Sequence, residues 1–107
     1  MSHALDPAVL HSFLEEVRSY LPALDQEASR LREDGGAPDA LAEIHRLAHS
    51  IRSACDMIGL ESLAGPAREI EQLAAPVLFG EHRLDEAGLL ALGDALEELR
   101  RGLGSSS

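Results

Sequence analysis

At 107 residues the chain has the size of one domain, large enough for a single hydrophobic core and too small to hold an ATP-binding catalytic domain beside it. Its net charge of −10, from 19 acidic against nine basic side chains, repels phosphate backbones and argues against nucleic acid as a partner. Hydrophobic residues make up 45% of the chain but aromatic ones only 3%, so the core must be built from Leu, Ile, Val and Ala, a composition that favours helices.

The opening residues carry no positive run followed by an apolar stretch, and nowhere do about 18 apolar residues run together, so neither a signal peptide nor a membrane span is expected. Asp6-Pro7 reads as a helix start, with Asp accepting at the N-cap and Pro at the first helical position. Leu10, Phe13, Leu14, Val17, Leu21, Leu24, Ala28 and Leu31 then recur at steps of three and four, one apolar helical stripe. Pro22 is expected to kink this helix or split it in two, and Asp34-Gly35-Gly36 ends the segment.

Pro38-Asp39 opens a second helix with Leu41, Ile44, Ala48, Ile51, Cys55 and Ile58 facing inward and Leu47 at the edge of the stripe. Gly59 is placed to stop it. The third segment carries Leu60, Leu63, Ala67, Ile70, Leu73, Ala74 and Val77; Pro66 is tolerable there only in the first turn, and Pro76 with Gly80 brings the segment to an end. The fourth starts near Asp85 and repeats Leu89, Leu92, Leu96, Leu99 and Leu103. Short connections between four amphipathic segments predict an all-α fold, an antiparallel up-down-up-down four-helix bundle. We read residues 1–107 as a single domain, ordered over about 5–103, with Gly104-Ser105-Ser106-Ser107 as a flexible linker or cloning scar.

Each helical residue is turned about 100° from the last, which puts His49 roughly 160° from Ile51 and on the solvent side of the second helix. Its neighbours at three and four residues are His45, Arg46, Arg52 and Ser53. A neutral imidazole keeps a lone pair on one nitrogen while the other, protonated, can be oriented by a hydrogen bond, so it is a usable nucleophile near neutral pH. A phosphoryl group placed there would lie mid-helix, away from any helix N-terminus, and would need a cation. Arg52 is one turn on, and the small Ser53 leaves room for a partner.

The stretch His49-Ser50-Ile51-Arg52-Ser53 resembles the H-x-[LI]-K-G core of histidine phosphotransfer domains, with Arg52 for the usual lysine and Ser53 for the usual glycine. Gly59 falls ten residues after the histidine, Leu63 fourteen and Glu71 twenty-two, as in the N-terminal phosphotransfer domain of chemotaxis kinases of the CheA type. Phe13-Leu14-Glu15-Glu16 with Leu21 and Leu24 is similar to the first helix of that group. The resemblance covers nearly the whole ordered chain and rests mostly on residues 44–73.

The resemblance implies that Glu71 accepts from Nδ1–H of His49 and leaves Nε2 to take phosphate, with Arg68 steadying the pair. It further implies a carrier that passes a phosphoryl group between a kinase's ATP-binding domain, or a phosphorylated receiver, and an aspartate of a receiver domain. Arg52 would neutralise the phosphate, and Ser53 with Arg46, Ser50 and Asp56 would form the docking rim. No autonomous catalytic activity and no bound cofactor are expected: ATP belongs to the kinase domain and Mg²⁺ to the receiver. The chemotaxis-like spacing favours a piece of a larger sensor kinase. Arginine for lysine keeps the charge in a different geometry, and serine for glycine adds bulk where a receiver approaches, which leaves a docking module that is never phosphorylated as the alternative.

His45 and His49, four apart, also have the spacing of two helical metal ligands, but a structural zinc wants two more. Cys55 faces the core and Asp56 lies about two turns from His49, so no metal is expected. Cys55 is alone, which rules out an intramolecular disulfide and fits a reducing cytoplasm. Catalytic templates of the G-x-S-x-G, Walker, G-x-G-x-x-G and H-E-x-x-H kinds are absent.

Overall fold

The computed structural model describes residues 6–33, 38–81 and 83–106. They form four helices: α1 Pro7–Glu33, α2 Pro38–Ile58, α3 Glu61–Leu78 and α4 Glu86–Ser106. The Asp34-Gly35-Gly36 link, the first five residues and Ser107 lie outside the described residues.

The helix boundaries follow from local chemistry. Asp6 Oδ1 accepts the Ala8 N–H at 2.8 Å, with Pro7 opening α1, and Asp85 Oδ1 accepts the Gly88 N–H at 2.8 Å at the start of α4. Each such cap satisfies an amide that the helix itself leaves unpaired, and contributes about 1 kcal/mol. At the other end of α2, Gly59 turns left-handed at φ 75°, and the Leu60 N–H reaches back to the Cys55 carbonyl at 3.0 Å. Gly80, at φ 78°, closes α3 in the same way, with the Glu81 N–H on the Pro76 carbonyl at 2.8 Å. A side chain at either glycine would strain a conformation that only glycine adopts freely.

The prolines follow expectation only in part. Helix α1 runs unbroken past the exposed Pro22, so the segment is one helix and not two. Pro66 lies in the second turn of α3, because that helix begins at Glu61. Lacking an N–H, it frees the Ser62 carbonyl four residues back. Gly102 of α4 packs on that carbonyl so closely that an added Cβ would lie 2.8 Å from its oxygen. Pro76 sits inside the last turn of α3, and the stop is made by Gly80. At the C-terminus the helical backbone of α4 reaches Ser106, into the stretch read from composition as a flexible tail.

Each helix packs against two neighbours, α1 on α2 and α4, and α3 on α2 and α4; among the described residues the diagonal pairs do not pack. Cross-helix contacts give the directions. Moving forward along α2 from His49 to Asp56 means moving back along α3 from Glu71 to Arg68. Arg18 and Asp25 of α1 meet Leu103 and Arg100 of α4 in the same reversed order. The result is an antiparallel up-down-up-down bundle.

All four helices feed one core, including Leu24, Leu31, Leu41, Ile44, Ile51, Leu63, Ile70 and Leu99, and no polar side chain of the described residues is buried in it. Leu47, expected at the edge of its stripe, is buried as well. No helix of the described residues is long and apolar enough to cross a membrane.

Candidate functional site

The seam between α2 and α3 is the most extensive in the bundle, and His49 stands at its outer edge. Ala48 and Ile51 are buried on either side of it in sequence, so the helical turn sends the imidazole outward, where its side chain is 56% exposed. From α3, Glu71 Oε2 lies 2.8 Å from His49 Nδ1. The Glu71 side chain is only 13% exposed, so its carboxylate is screened far less than a surface acid.

Burial pushes the Glu71 carboxyl up, but hydrogen bonds from Arg52 and then His49, with the charge of Arg52, outweigh it and hold the group below the ordinary carboxylate value. Glu71 is therefore ionised at neutral pH and can only accept. Its partner Nδ1 must carry the proton, which leaves the lone pair of a neutral His49 on Nε2. Among the described residues no protein group hydrogen-bonds Nε2.

Arg52 does not project freely toward solvent. Its Nε–H donates to Glu71 Oε1 at 2.7 Å, Nη2 lies 3.4 Å from Oε2, and Nη1 donates to Asp56 Oδ2 at 3.2 Å. Nη2 also comes within 3.1 Å of His49 Nδ1; with Nδ1 protonated this is a contact between two donors, and Oε2 is the acceptor they share. Hydrogen bonds to Glu71 and then Asp56 raise the pKa of Arg52 beyond its already high value, so its charge is permanent.

The other predicted site residues divide into two groups. Asp56 Oδ1 accepts from Arg68 Nη2 at 3.2 Å, and Arg68 Nη1 donates to Glu61 Oε2 at 3.2 Å. Arg68 thus belongs to the His49 constellation through Asp56 and Arg52, rather than by touching the His49–Glu71 pair. Arg46 turns away and binds Glu43 on its own helix, with Nε 3.0 Å from Oε1. Ser50 and Ser53 are exposed on α2, on the side of His49 away from Arg52, beside the exposed Met57.

Periodicity alone had not singled out Gln72 or Ala75. With His45, Arg52, Arg68 and Glu71 they line an open cavity of about 300 Å³ along the α2–α3 groove. The signal was in the chain: residues 68, 71, 72 and 75 share one face of α3. Glu61, at the end of the ion-pair chain, was likewise not singled out.

His45 stacks on His49 with ring centroids 6.5 Å apart and planes 9° from parallel, and no group of three potential metal ligands gathers among the described residues. Cys55 is fully buried, and burial, then the charge of Asp56, pushes its thiol up to about 11, which makes it inert at neutral pH.

The arrangement is that of an exposed imidazole with one nitrogen held by a carboxylate, a permanent cation on that same side, and the other nitrogen without a protein hydrogen bond among the described residues. A family model described as the Hpt domain matches residues 8–102. Comparison with curated proteins and with solved structures finds no match.

Proposed function

The chain belongs to the Hpt domain family, a family of histidine phosphotransfer in phosphorelay signalling, and from that premise we propose that His49 is the residue that carries the phosphoryl group. The observation that carries the proposal is the 2.8 Å contact between His49 Nδ1 and Glu71 Oε2, which orients the ring and leaves Nε2 as the nucleophile.

In the first step the Nε2 lone pair attacks the phosphorus of the donor. The P–O bond to the leaving group, ADP or the carboxylate of a phosphorylated receiver, breaks with its electron pair on that oxygen. The ring becomes a phosphoimidazolium that keeps its Nδ1 proton, and the ionised Glu71 stabilises the new positive charge. In the second step a receiver aspartate attacks phosphorus, the P–N pair returns to Nε2, and the neutral ring is restored without any proton leaving Nδ1. Glu71 and Arg52 are thus positioning groups for a carrier that does no chemistry alone.

The partners on this reading are a histidine kinase catalytic domain, which brings ATP, and a receiver domain, which brings Mg²⁺; the domain itself holds no cofactor and works in the cytoplasm. Ser50 and Ser53 offer a low strip beside His49 for their approach, with Arg46 and Asp56 at its rim. The spacing from His49 to Gly59 and Glu71 supports a chemotaxis-type kinase as the source of the chain.

The test is direct. Incubation with phosphoramidate, a small chemical donor, or with ATP and a kinase catalytic domain should put an acid-labile phosphoryl group on the parent that is lost in His49→Gln. A parent that takes no label from either donor overturns the carrier role and leaves docking alone.

A further inference from the structure

From the carboxylate that holds the imidazole, charges of alternating sign continue along the α2–α3 groove: Glu71, Arg52, Asp56, Arg68 and Glu61, each bonded to the next. Arg52 is held between two carboxylates. Three of its five N–H donors are committed, Nε to Glu71 Oε1, one on Nη2 toward Oε2 and one on Nη1 to Asp56. The cation nearest His49 is therefore compensated twice before any phosphate arrives. Glu71 has to be there to orient the ring; Asp56 does not touch the ring at all.

Resting on the reading of His49 as the phosphate carrier, we propose that Asp56, anchored by Arg68, is a positioning residue that competes with the phosphoryl group for the Arg52 guanidinium and so limits how strongly the phosphohistidine is stabilised. A phosphoryl group on Nε2 brings nearly two negative charges to the far side of the ring from Glu71. To bond it, Arg52 must turn its Nη groups outward, and the tie from Nη1 to Asp56 at 3.2 Å opposes that turn. Arg68 keeps Asp56 in place from α3 at 3.2 Å, and Glu61 shares Arg68 at 3.2 Å, so the restraint is built from both helices. His45 stacks on the imidazole, and Arg46, paired with Glu43, stands on the same helix at the rim of the site. A carrier must hand its phosphate on, and an arginine locked fully onto the phosphoryl oxygens would oppose that.

The experiment follows the phosphorus. The parent, Asp56→Asn, Asp56→Glu, Arg68→Gln, Arg52→Gln and Asp56→Asn/Arg52→Gln proteins are phosphorylated with phosphoramidate, and the ³¹P resonance of the phosphohistidine is titrated between about pH 5 and pH 9. A guanidinium closer to the phosphoryl group favours its dianion, so Asp56→Asn should titrate lower than the parent by about half a unit or more. Arg68→Gln should move it the same way by less, and Asp56→Glu should restore the parent curve. The shift should vanish in the double variant, which a general loosening of the fold would not produce. Asp56→Asn titrating with the parent, or a shift that persists without Arg52, overturns the proposal while His49 stays labelled. A parent without label on His49 instead brings down the carrier role on which it rests.

Discussion

Three seams of the bundle are crossed by an arginine that meets a carboxylate on the neighbouring helix; one is the exposed Arg30–Asp39 pair between α1 and α2, and the other two put such a pair to different use. Between α1 and α4, Arg100 pairs with Asp25 and with Glu97 on its own helix, and Arg18 Nη2 donates to the Leu103 carbonyl at 3.3 Å. Arg100 and Asp25 are 41% and 51% exposed, so water and salt screen them. Between α2 and α3, Arg52 and Glu71 are 26% and 13% exposed, and the carboxylate is held ionised against the pull of its own burial. An arginine–carboxylate pair aligns helices at one seam and sets a tautomer at the other. Depth makes the difference, together with an imidazole placed to use it.

Beneath the charges the two seams should be alike, and the largest expected effect tests that. Ile70 and Leu99 each precede a charged member of their seam, and both are fully buried. Ile70→Ala and Leu99→Ala should each lower stability by about 2–5 kcal/mol, from lost transfer energy plus the cavity left behind. Thermal melting should show both midpoints falling by roughly 10 °C or more. A loss confined to one of them would mean that the apolar layers, and not only the charged ones, distinguish the seams.

Next in size is the chemical contrast. Glu71→Gln keeps the shape but removes the charge that holds the Nδ1 proton and that, on the proposed carrier role, would stabilise the phosphoimidazolium. The initial rate of His49 labelling should fall by about 10–100-fold, the scale of loss when a metal-bound histidine is deprived of its orienting partner. Arg100→Gln at the other seam should label at the parent rate. Equal losses in the two variants would erase the distinction drawn between them.

How much of this was legible beforehand depends on how local its cause is. The apolar stripes, the Asp6 cap and the Gly59 stop each depend on a few neighbouring residues, and they stand in the structure as the pattern predicts except at Ile58, which is only half-buried and does not join the core. The outward face of His49 follows from the turn of one helix. The prolines were harder, because the cost of a proline inside a helix depends on what the freed carbonyl meets, and for Pro66 that includes Gly102 from another helix. Spacing supplied Glu71 as the partner through a family resemblance. It did not supply the engagement of Arg52 with that carboxylate, or of Arg68 with Asp56. A long side chain on a solvent-facing helix can reach in several directions, and the acid that crosses from the next helix decides among them.

The half-buried seam should also respond to acid. The folded-state pKa of Glu71 lies below its ordinary 4.5, so the unfolded chain binds this proton first as pH falls. Its contribution to stability is complete above about that ordinary value and is lost as pH drops through the folded one. Between about pH 6 and pH 3 the parent should lose melting temperature more steeply than Glu71→Gln. Exposed acids such as Asp39 and Glu43, also held low by their arginines, are present in both proteins and cancel in the difference. Parallel curves would mean that Glu71 gains nothing from its place.

The smallest effect belongs to the exposed seam, and it bears most sharply on the contrast because it is a predicted near-absence. A double-mutant cycle of Asp25→Asn and Arg100→Gln isolates their coupling from everything else each side chain touches, Glu97 included. Two side chains this exposed repay in Coulomb energy little more than they lose in rotamer freedom, so the coupling should lie within about 1 kcal/mol. It should also shrink further in added salt, since ions reach both partners. A coupling above about 2 kcal/mol that survives high salt would place this pair outside the range of exposed ion pairs. Depth would then no longer separate the two seams, and the chemistry proposed for α2–α3 would have to rest on His49 alone.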